Sequence, residues 1–180
     1  MENKSMNPCK VITGPDTRWA YCNVWEPRRA LKSGKMLYSI RLLIPKSDLS
    51  TIAKIEAAMK AAYMDDNGKI RGKDKEAPPL SHLQLPLRDG DRDYPADAEY
   101  QGMYYINCNT GHAPGIVDAD MNPIISRSEV YSGVYGRASI VFYGFNAGAV
   151  RGIACGLVNL QKIRNGEPLG THPSAAQDFA

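Results

Sequence analysis

The amino-acid sequence predicts a mainly β fold: a small five-stranded sheet curled into a barrel, with one amphipathic helix and one long charged arm. Three observations carry that expectation. Five segments rich in β-forming residues are separated by turn signals. A single segment, about 48–64, has helical spacing, with Leu49, Ile52, Ile55, Met59, Ala62 and Tyr63 along one stripe. Glycines also fall inside the β segments, above all in "YSGVYGRASIVFYGFN" (Tyr131 to Asn146), and a glycine within a strand marks a bulge or tight bend.

Each element has its own signal. Residues 1–10 read as a polar, flexible N-terminus. From Lys10 to Trp25 β-formers are broken by Gly14-Pro15-Asp16, giving a short strand, a turn and a strand from about Thr17 to Trp25. "EPRRALKSGK" then gathers Arg28, Arg29, Lys32 and Lys35 around Pro27 and Gly34, and is expected as a basic loop. Met36 to Ile44 alternates, with Met36, Tyr38, Ile40, Leu42 and Ile44 on one side and Lys35, Ser39 and Arg41 on the other, until Pro45 ends it. The helix opens at Ser47 or Asp48 as N-cap and stops at Asn67-Gly68.

Residues 65–101 form the arm, charged and rich in Pro and Gly, with "LSHLQLPL" as its one apolar interruption; a stretch of that kind is a mobile arm or a functional loop. "GMYYINC" follows as a strand and "NTGHAPGIVDADMNPI" as a turn-rich connection. The glycine-bearing stretch is the next strand, and "FNAGAV" turns it into "VRGIACGLVNLQKIR". The expected organisation is a single domain over 11–166 and a flexible tail over 167–180. Among small curled five-stranded architectures, the OB-fold is the commonest with a nucleic-acid role.

Composition narrows the function. No basic leader precedes an apolar segment, and no apolar run nears the roughly 18 residues a membrane span needs, so an unexported protein without a membrane anchor is expected. Cys9, Cys22, Cys108 and Cys155 are scattered without a C-x-x-C pair, which fits reduced thiols and offers no zinc site. Asp89, Asp91 and Asp93 have the first spacings of a calcium loop, but Tyr94 stands where glycine is required and Tyr100 where a bidentate Glu is required. "GVYGRAS" lacks the Lys-Ser/Thr ending of a phosphate loop, and no G-x-S-x-G elbow is present. No catalysis, metal or cofactor is expected.

Charge is uneven. Residues 1–64 hold 11 Lys/Arg against 5 Asp/Glu, whereas residues 65–100 hold 6 against 9. Binders of single strands need cations for phosphates and aromatic faces for bases, and the basic front end supplies both, with Trp19, Tyr21 and Trp25 beside Arg18, Arg28, Arg29, Lys32, Lys35 and Arg41. In the long strand the even positions Val134, Gly136, Ala138, Ile140, Phe142 and Gly144 are small or apolar. The odd positions include Tyr135, Arg137, Tyr143 and Phe145, and Arg151 follows on the next strand. Single aromatics in strands are more often core, and Trp19 and Trp25 share a parity that could equally face inward.

Taken together, "RWAYCNVWEP", "YSIRLLIPKSD" followed by "IAKIEAAMKAA", "LRDGD", "PGIVDADMNPI", "EVYSGVYGRASIVFYGFN", "RGIACGLVNLQKIRNGEPLG" and the terminal "DFA" resemble a family of bacteriophage and prophage single-stranded DNA-binding proteins, in the same order from about Lys10 to Ala180. The resemblance implies an OB-fold that coats single-stranded DNA without sequence preference in phage replication or recombination, in the cytoplasm of the bacterial host. The reading of rings and cations gives as DNA-binding candidates Arg18, Trp25, Arg28, Arg29, Lys32, Lys35, Arg41, Tyr135, Arg137, Tyr143, Phe145 and Arg151. Such families end in an acidic tail capped by an aromatic that recruits replication partners. Asp178 and Phe179 match that ending, while Gln177 stands where a second acid is expected. The helix comes earlier than in the commonest OB arrangement. A homodimer is compatible with this reading. The rival readings are a β-rich virion or assembly protein without DNA affinity, a nucleic-acid enzyme using the carboxylates of Asp89 to Asp97, and a duplex-DNA binder.

Overall fold

In chain order the elements are β1 (Lys10–Ile12), β2 (Arg18–Arg29), β3 (Met36–Pro45), α1 (Leu49–Met64), β4 (Arg88–Asp89), α2 (Gly90–Asp93), β5 (Met103–Thr110), β6 (Gly115–Val117), β7 (Tyr135–Ala147) and β8 (Val150–Arg164). They are seen in a computed structural model that describes residues 6–65, 68–73 and 76–170. The order β7-β2-β3-β5-β8 is closed by a further pairing of β7 with β8, so five strands form a ring. Four of its joints are antiparallel; the β5–β8 joint is parallel. These are the five principal strands that the sequence predicts, and the fold is mainly β with one main helix.

Alternation explains the core. Ile40, Leu42 and Ile44 of β3, Ile106 and Cys108 of β5, and Val134, Ala138, Ile140 and Phe142 on and before β7 are all buried in one cluster. The helix α1 lays Ile55, Ala58, Met59 and Ala62 onto that cluster. Its N-cap is Asp48, whose carboxylate accepts from the Thr51 amide (3.2 Å) and the Thr51 hydroxyl (2.6 Å), and Thr51 Oγ1 in turn accepts from the Gly14 amide (3.0 Å). Among the described residues no helix is long and apolar enough to cross a membrane.

The ring closes between β2 and β7 over a short ladder. Arg18 pairs with Tyr135, the Trp19 amide donates to the Val134 carbonyl (2.8 Å), and the Gly133 amide donates to the Trp19 carbonyl (2.8 Å). Trp19 is fully buried and its indole N–H reaches the Gly136 carbonyl (3.1 Å). Of the two readings of Trp19, the inward one holds.

One expectation is corrected. The basic loop is a hairpin: Pro27, Arg28 and Arg29 belong to β2, with Arg28 opposite Leu37 and Arg29 opposite Met36, and only Ala30 to Lys35 turn. Proline is accommodated there because the ladder breaks between Asn23 and Arg28, so its missing N–H leaves no pair unmade. The arm, for its part, is folded onto the ring. Ile70 and Leu83 are buried in the core, and the Tyr63 hydroxyl holds the Pro78 carbonyl (2.9 Å). Gln84 bridges to β8 at Gly152, and β4 pairs with β5. Those last two contacts splint the ring where β5 and β8 diverge.

A Cβ on residue 136 would stand 2.5 Å from the Trp19 ring. Gly136→Ala should therefore destabilise the fold by about 1–3 kcal/mol, as overpacking does, measured as a lower urea midpoint with an unchanged slope.

Candidate nucleic-acid interface

The outer face of β3 carries Arg41, opposite Ala20 of β2 and Asn107 of β5. Its guanidinium donates to Asn107 Oδ1 (2.8 Å), to the Tyr94 hydroxyl (3.1 Å) and to the Tyr100 hydroxyl (2.7 Å). It also lies over four rings, with 4.7 Å to the Tyr105 centroid, 5.1 Å to Tyr21, 5.4 Å to Tyr94 and 5.9 Å to Tyr100. Burial disfavours the charge, but the two phenol oxygens that accept from it outweigh burial and hold its pKa above the ordinary arginine value. Arg41 thus organises an aromatic surface. The arm supplies two of the four rings: Tyr94 stacks on Tyr100 at 4.2 Å, and Tyr100 with Tyr105 of β5 covers Leu43.

Tyr21 is the member of this group that faces solvent. It is 65% exposed and its backbone has φ 49, the left-handed region that costs a non-glycine residue roughly 1–3 kcal/mol. The cause is a bulge. Between Ala20 and Asn23 β2 advances three residues while β3 moves back two, from Arg41 to Ser39. The extra residue lets Trp19 and Val24 both point inward and swings Tyr21 out over Arg41.

From Tyr21 a groove runs across β5 to the β5–β8 seam. Its first concavity, about 350 Å³, is lined by Tyr21, Ser39, Arg41, Asn107 and Asn109; the next, about 150 Å³, by Asn107, Asn109, Arg88 and Phe145. Tyr143, 42% exposed, lies beside the same seam against Gly156. Burial beside the Cys155 and Cys108 thiols pushes its phenol pKa up. The β2–β3 hairpin with exposed Arg28, Arg29, Lys32 and Lys35 stands at one end, and the β7–β8 hairpin at the other. A larger concavity of about 540 Å³ opens between β1 and the start of α1, but no aromatic ring lines it, and its cations Lys54 and Arg137 are offset by Asp16 and Asp48. It suits a polyanion poorly.

Lys46 fastens the arm beneath the groove, donating to Asp89 (2.8 Å) and Asp91 (2.8 Å), while Asp93 accepts from the Tyr105 hydroxyl (2.8 Å). The hydrogen bonds from Lys46 hold the carboxyls of Asp89 and Asp91 below their usual range. These carboxylates are occupied in holding the arm. Among the described residues no three His, Cys, Asp or Glu side chains gather as a metal site.

The expected residues divide between two places. Arg41, Tyr143 and Phe145 lie along the groove, and Arg28, Arg29, Lys32 and Lys35 flank it. Trp25 is half-buried against the core on the irregular part of β2. Tyr135 and Arg137 lie toward the other end of β7, because ten residues of strand span roughly 33 Å and the ring curls along the way. Tyr135 lies under the guanidiniums of Arg164 (4.1 Å) and Arg18 (5.1 Å), and Arg18 donates to the carbonyls of Gly133 (3.1 Å) and Glu167 (2.6 Å). Arg137 is held by Gln161 (2.8 and 2.6 Å), and Arg151 grips the carbonyls of Ile70 (3.3 Å) and Arg71 (3.2 Å). Arg18, Tyr135 and Arg151 therefore fasten chain segments where they stand. Asp178 and Phe179 lie outside the described residues.

Asn107, Asn109 and Arg88 are groove residues that the sequence reading does not name, and Tyr21, named there beside Trp19 and Trp25, is absent from its set of DNA-binding candidates. Parity in "MYYINCNT" separates Tyr105, Asn107 and Asn109 from inward Ile106 and Cys108, so those three are readable from alternation. Tyr21 is not, since strict alternation places it with Trp19.

The ring and its groove define a class: an OB-type fold, in which the face of the second and third strands and the loops beside it take oligonucleotides. A family model described as Enterobacter phage Enc34, ssDNA-binding protein, matches residues 9–180, and the chain belongs to that family. It is 29% identical over 158 residues to putative protein p50 of Acyrthosiphon pisum secondary endosymbiont phage 1, covering 84% of this chain and 82% of that one. The single-stranded DNA-binding protein of bacteriophage Enc34, solved in complex with ssDNA, shares the fold at TM-score 0.72 and 24% identity over 90% of both chains. The gp2.5 single-stranded DNA-binding protein of bacteriophage T7 aligns at TM-score 0.57 and 15% identity over 95% of this chain and 94% of that one.

Because the Asp89 and Asp91 pKa values are depressed in the folded protein, the clamp's contribution is complete above the ordinary carboxylate range and is lost as pH falls through the native values. Thermal melts of wild type and Lys46→Met should differ at pH 7 and converge toward pH 3.

Proposed function

We propose that the protein binds single-stranded DNA without sequence preference along the groove from Tyr21 to Phe145, coating it during phage replication or recombination in the host cytoplasm. The observation that carries this reading is the bulged, exposed Tyr21 ring held over Arg41 at the mouth of a groove lined with asparagine amides and further rings. Bases would stack on Tyr21, Tyr143 and Phe145, an interaction tolerant of sequence because every base has a π-face. The amides of Asn107 and Asn109 can donate to or accept from any base edge. Arg28, Arg29, Lys32 and Lys35, exposed on their hairpin, would neutralise phosphates, and Arg41 would act by keeping the aromatic surface in place. Membership of the phage family supports the same reading. The protein would act by binding alone, with no catalytic step, and the tail residues Asp178 and Phe179 would dock replication or recombination proteins.

Titration with dT oligomers should quench intrinsic fluorescence, and log K should fall linearly with log salt. Replacing Arg28, Arg29, Lys32 and Lys35 by Gln should flatten that slope by about 0.7 for each phosphate that is no longer neutralised. Absence of binding at low salt, or equal competition by duplex, would contradict the proposal.

Tyr21→Ala should weaken oligo-dT binding about 5- to 150-fold, the range for removal of one base stack, with its melting temperature within a few degrees of wild type. Tyr135→Ala should cost stability in place of affinity, since its ring supports Arg164 and Arg18.

A further inference from the structure

Beneath the groove lie two thiols that the binding reading does not use. Cys108 of β5 and Cys155 of β8 are both buried, with their sulfurs 3.3 Å apart. Asn109 is opposite Gly156 in the parallel β5–β8 joint, so Cys108 and Cys155, each one residue earlier, are also opposite and point to the same side of the sheet. Adjacent strands lie about 4.8 Å apart, within the ~4.4–6.8 Å between Cα atoms that a disulfide accepts. The place matters as well. A single register pair joins β5 to β8, whereas β3 and β5 are paired continuously from Tyr38 to Pro45, so the thiols straddle the weakest joint described around that side of the ring. Cys108 borders the first concavity of the groove and Cys155 the second.

We propose that Cys108 and Cys155 are a reversible oxidation site whose disulfide pins the β5–β8 seam. The oxidant is a hydroperoxide. One thiolate attacks the terminal peroxide oxygen, the O–O bond breaks, and a sulfenic acid forms; the second thiolate then attacks that sulfur and displaces hydroxide. With hydrogen peroxide the balance is two thiols and one peroxide to one disulfide and two waters. A small thiol such as glutathione returns the pair to the reduced state by exchange. Burial holds the Cys155 thiol well above the ordinary cysteine value, so the reactive thiolate arises when the seam opens and oxidation is slow. Cys9 and Cys22 stand on other parts of the fold, before β1 and within β2.

The experiment treats the full chain with hydrogen peroxide, alkylates the remaining thiols under denaturing conditions and maps the peptides by mass spectrometry. The expected result is a Cys108–Cys155 linked peptide pair, with Cys9 and Cys22 alkylated, a melting temperature raised by several degrees, and reversal by dithiothreitol. Cys108→Ser should lose the shift. Should that variant not fold, a Cys9→Ser/Cys22→Ser protein must still form the linked pair. Full alkylation of Cys108 and Cys155 after peroxide, links between chains, or sulfinic and sulfonic products alone would overturn the proposal. None of these readouts depends on DNA binding, so this site and the groove stand or fall separately.

Discussion

The fold hangs on the approach of Trp19 to Gly136. The indole fills the inside of the ring where β2 meets β7, its N–H satisfied by the Gly136 carbonyl, and it can lie there because residue 136 has no side chain. Trp19 and Val24, five residues apart, both point into the core, which strict alternation does not allow in a regular strand. The strand must therefore carry an extra residue, and Tyr21 takes the left-handed backbone that the extra residue requires. The feature that exposes a ring on the outer surface is thus set by how the inside is filled. Strain at Tyr21 persists because the surrounding ladder over-determines it.

On the outside, Arg41 does for the arm what Trp19 does for the ring. A guanidinium has no acceptors and five donors in a planar fork, so it can gather an amide oxygen and two phenols while rings pack over it. Tyr94 and Tyr100 come from the arm, and Lys46 with Asp89 and Asp91 fixes the same segment from the other side. The result is a preorganised aromatic floor, which lowers the ordering cost that a flexible strand would otherwise have to overcome on binding. The exposed hairpin cations add a contribution of a different kind: long in range, screened by salt and indifferent to sequence.

Much of this is legible in the residues. Helical spacing locates α1 and its Asp48 cap, alternation divides β3 and β7 into inner and outer faces, and the glycines announce a sheet that curls. Legibility fails where the answer depends on distant partners. Parity places Tyr135, Arg137, Tyr143 and Phe145 on one face, and they are, but a curled strand turns one face toward two regions. Whether an arginine is free is decided by what folds back onto it: Arg151 meets the carbonyls of Ile70 and Arg71, some 80 residues earlier in the chain. The arm reads as a charged loop because its anchoring contacts, Tyr100 on Leu43 and Gln84 on β8, join segments whose proximity no local pattern reveals. Tyr21 is hidden by a bulge, since one inserted residue inverts every later inward and outward assignment.

The central claim is that a single strand lies across the outer face of β3 and β5 from Tyr21 to Phe145. Photocrosslinking of the full chain to an oligonucleotide carrying 5-bromodeoxyuridine, followed by mass-spectrometric mapping of the linked peptides, tests it most directly. Crosslinks are expected at Tyr21, at Tyr105 to Asn109 and at Tyr143 or Phe145. Crosslinks confined to the Tyr135 and Arg137 end of β7, or to the cleft between β1 and α1, would contradict it.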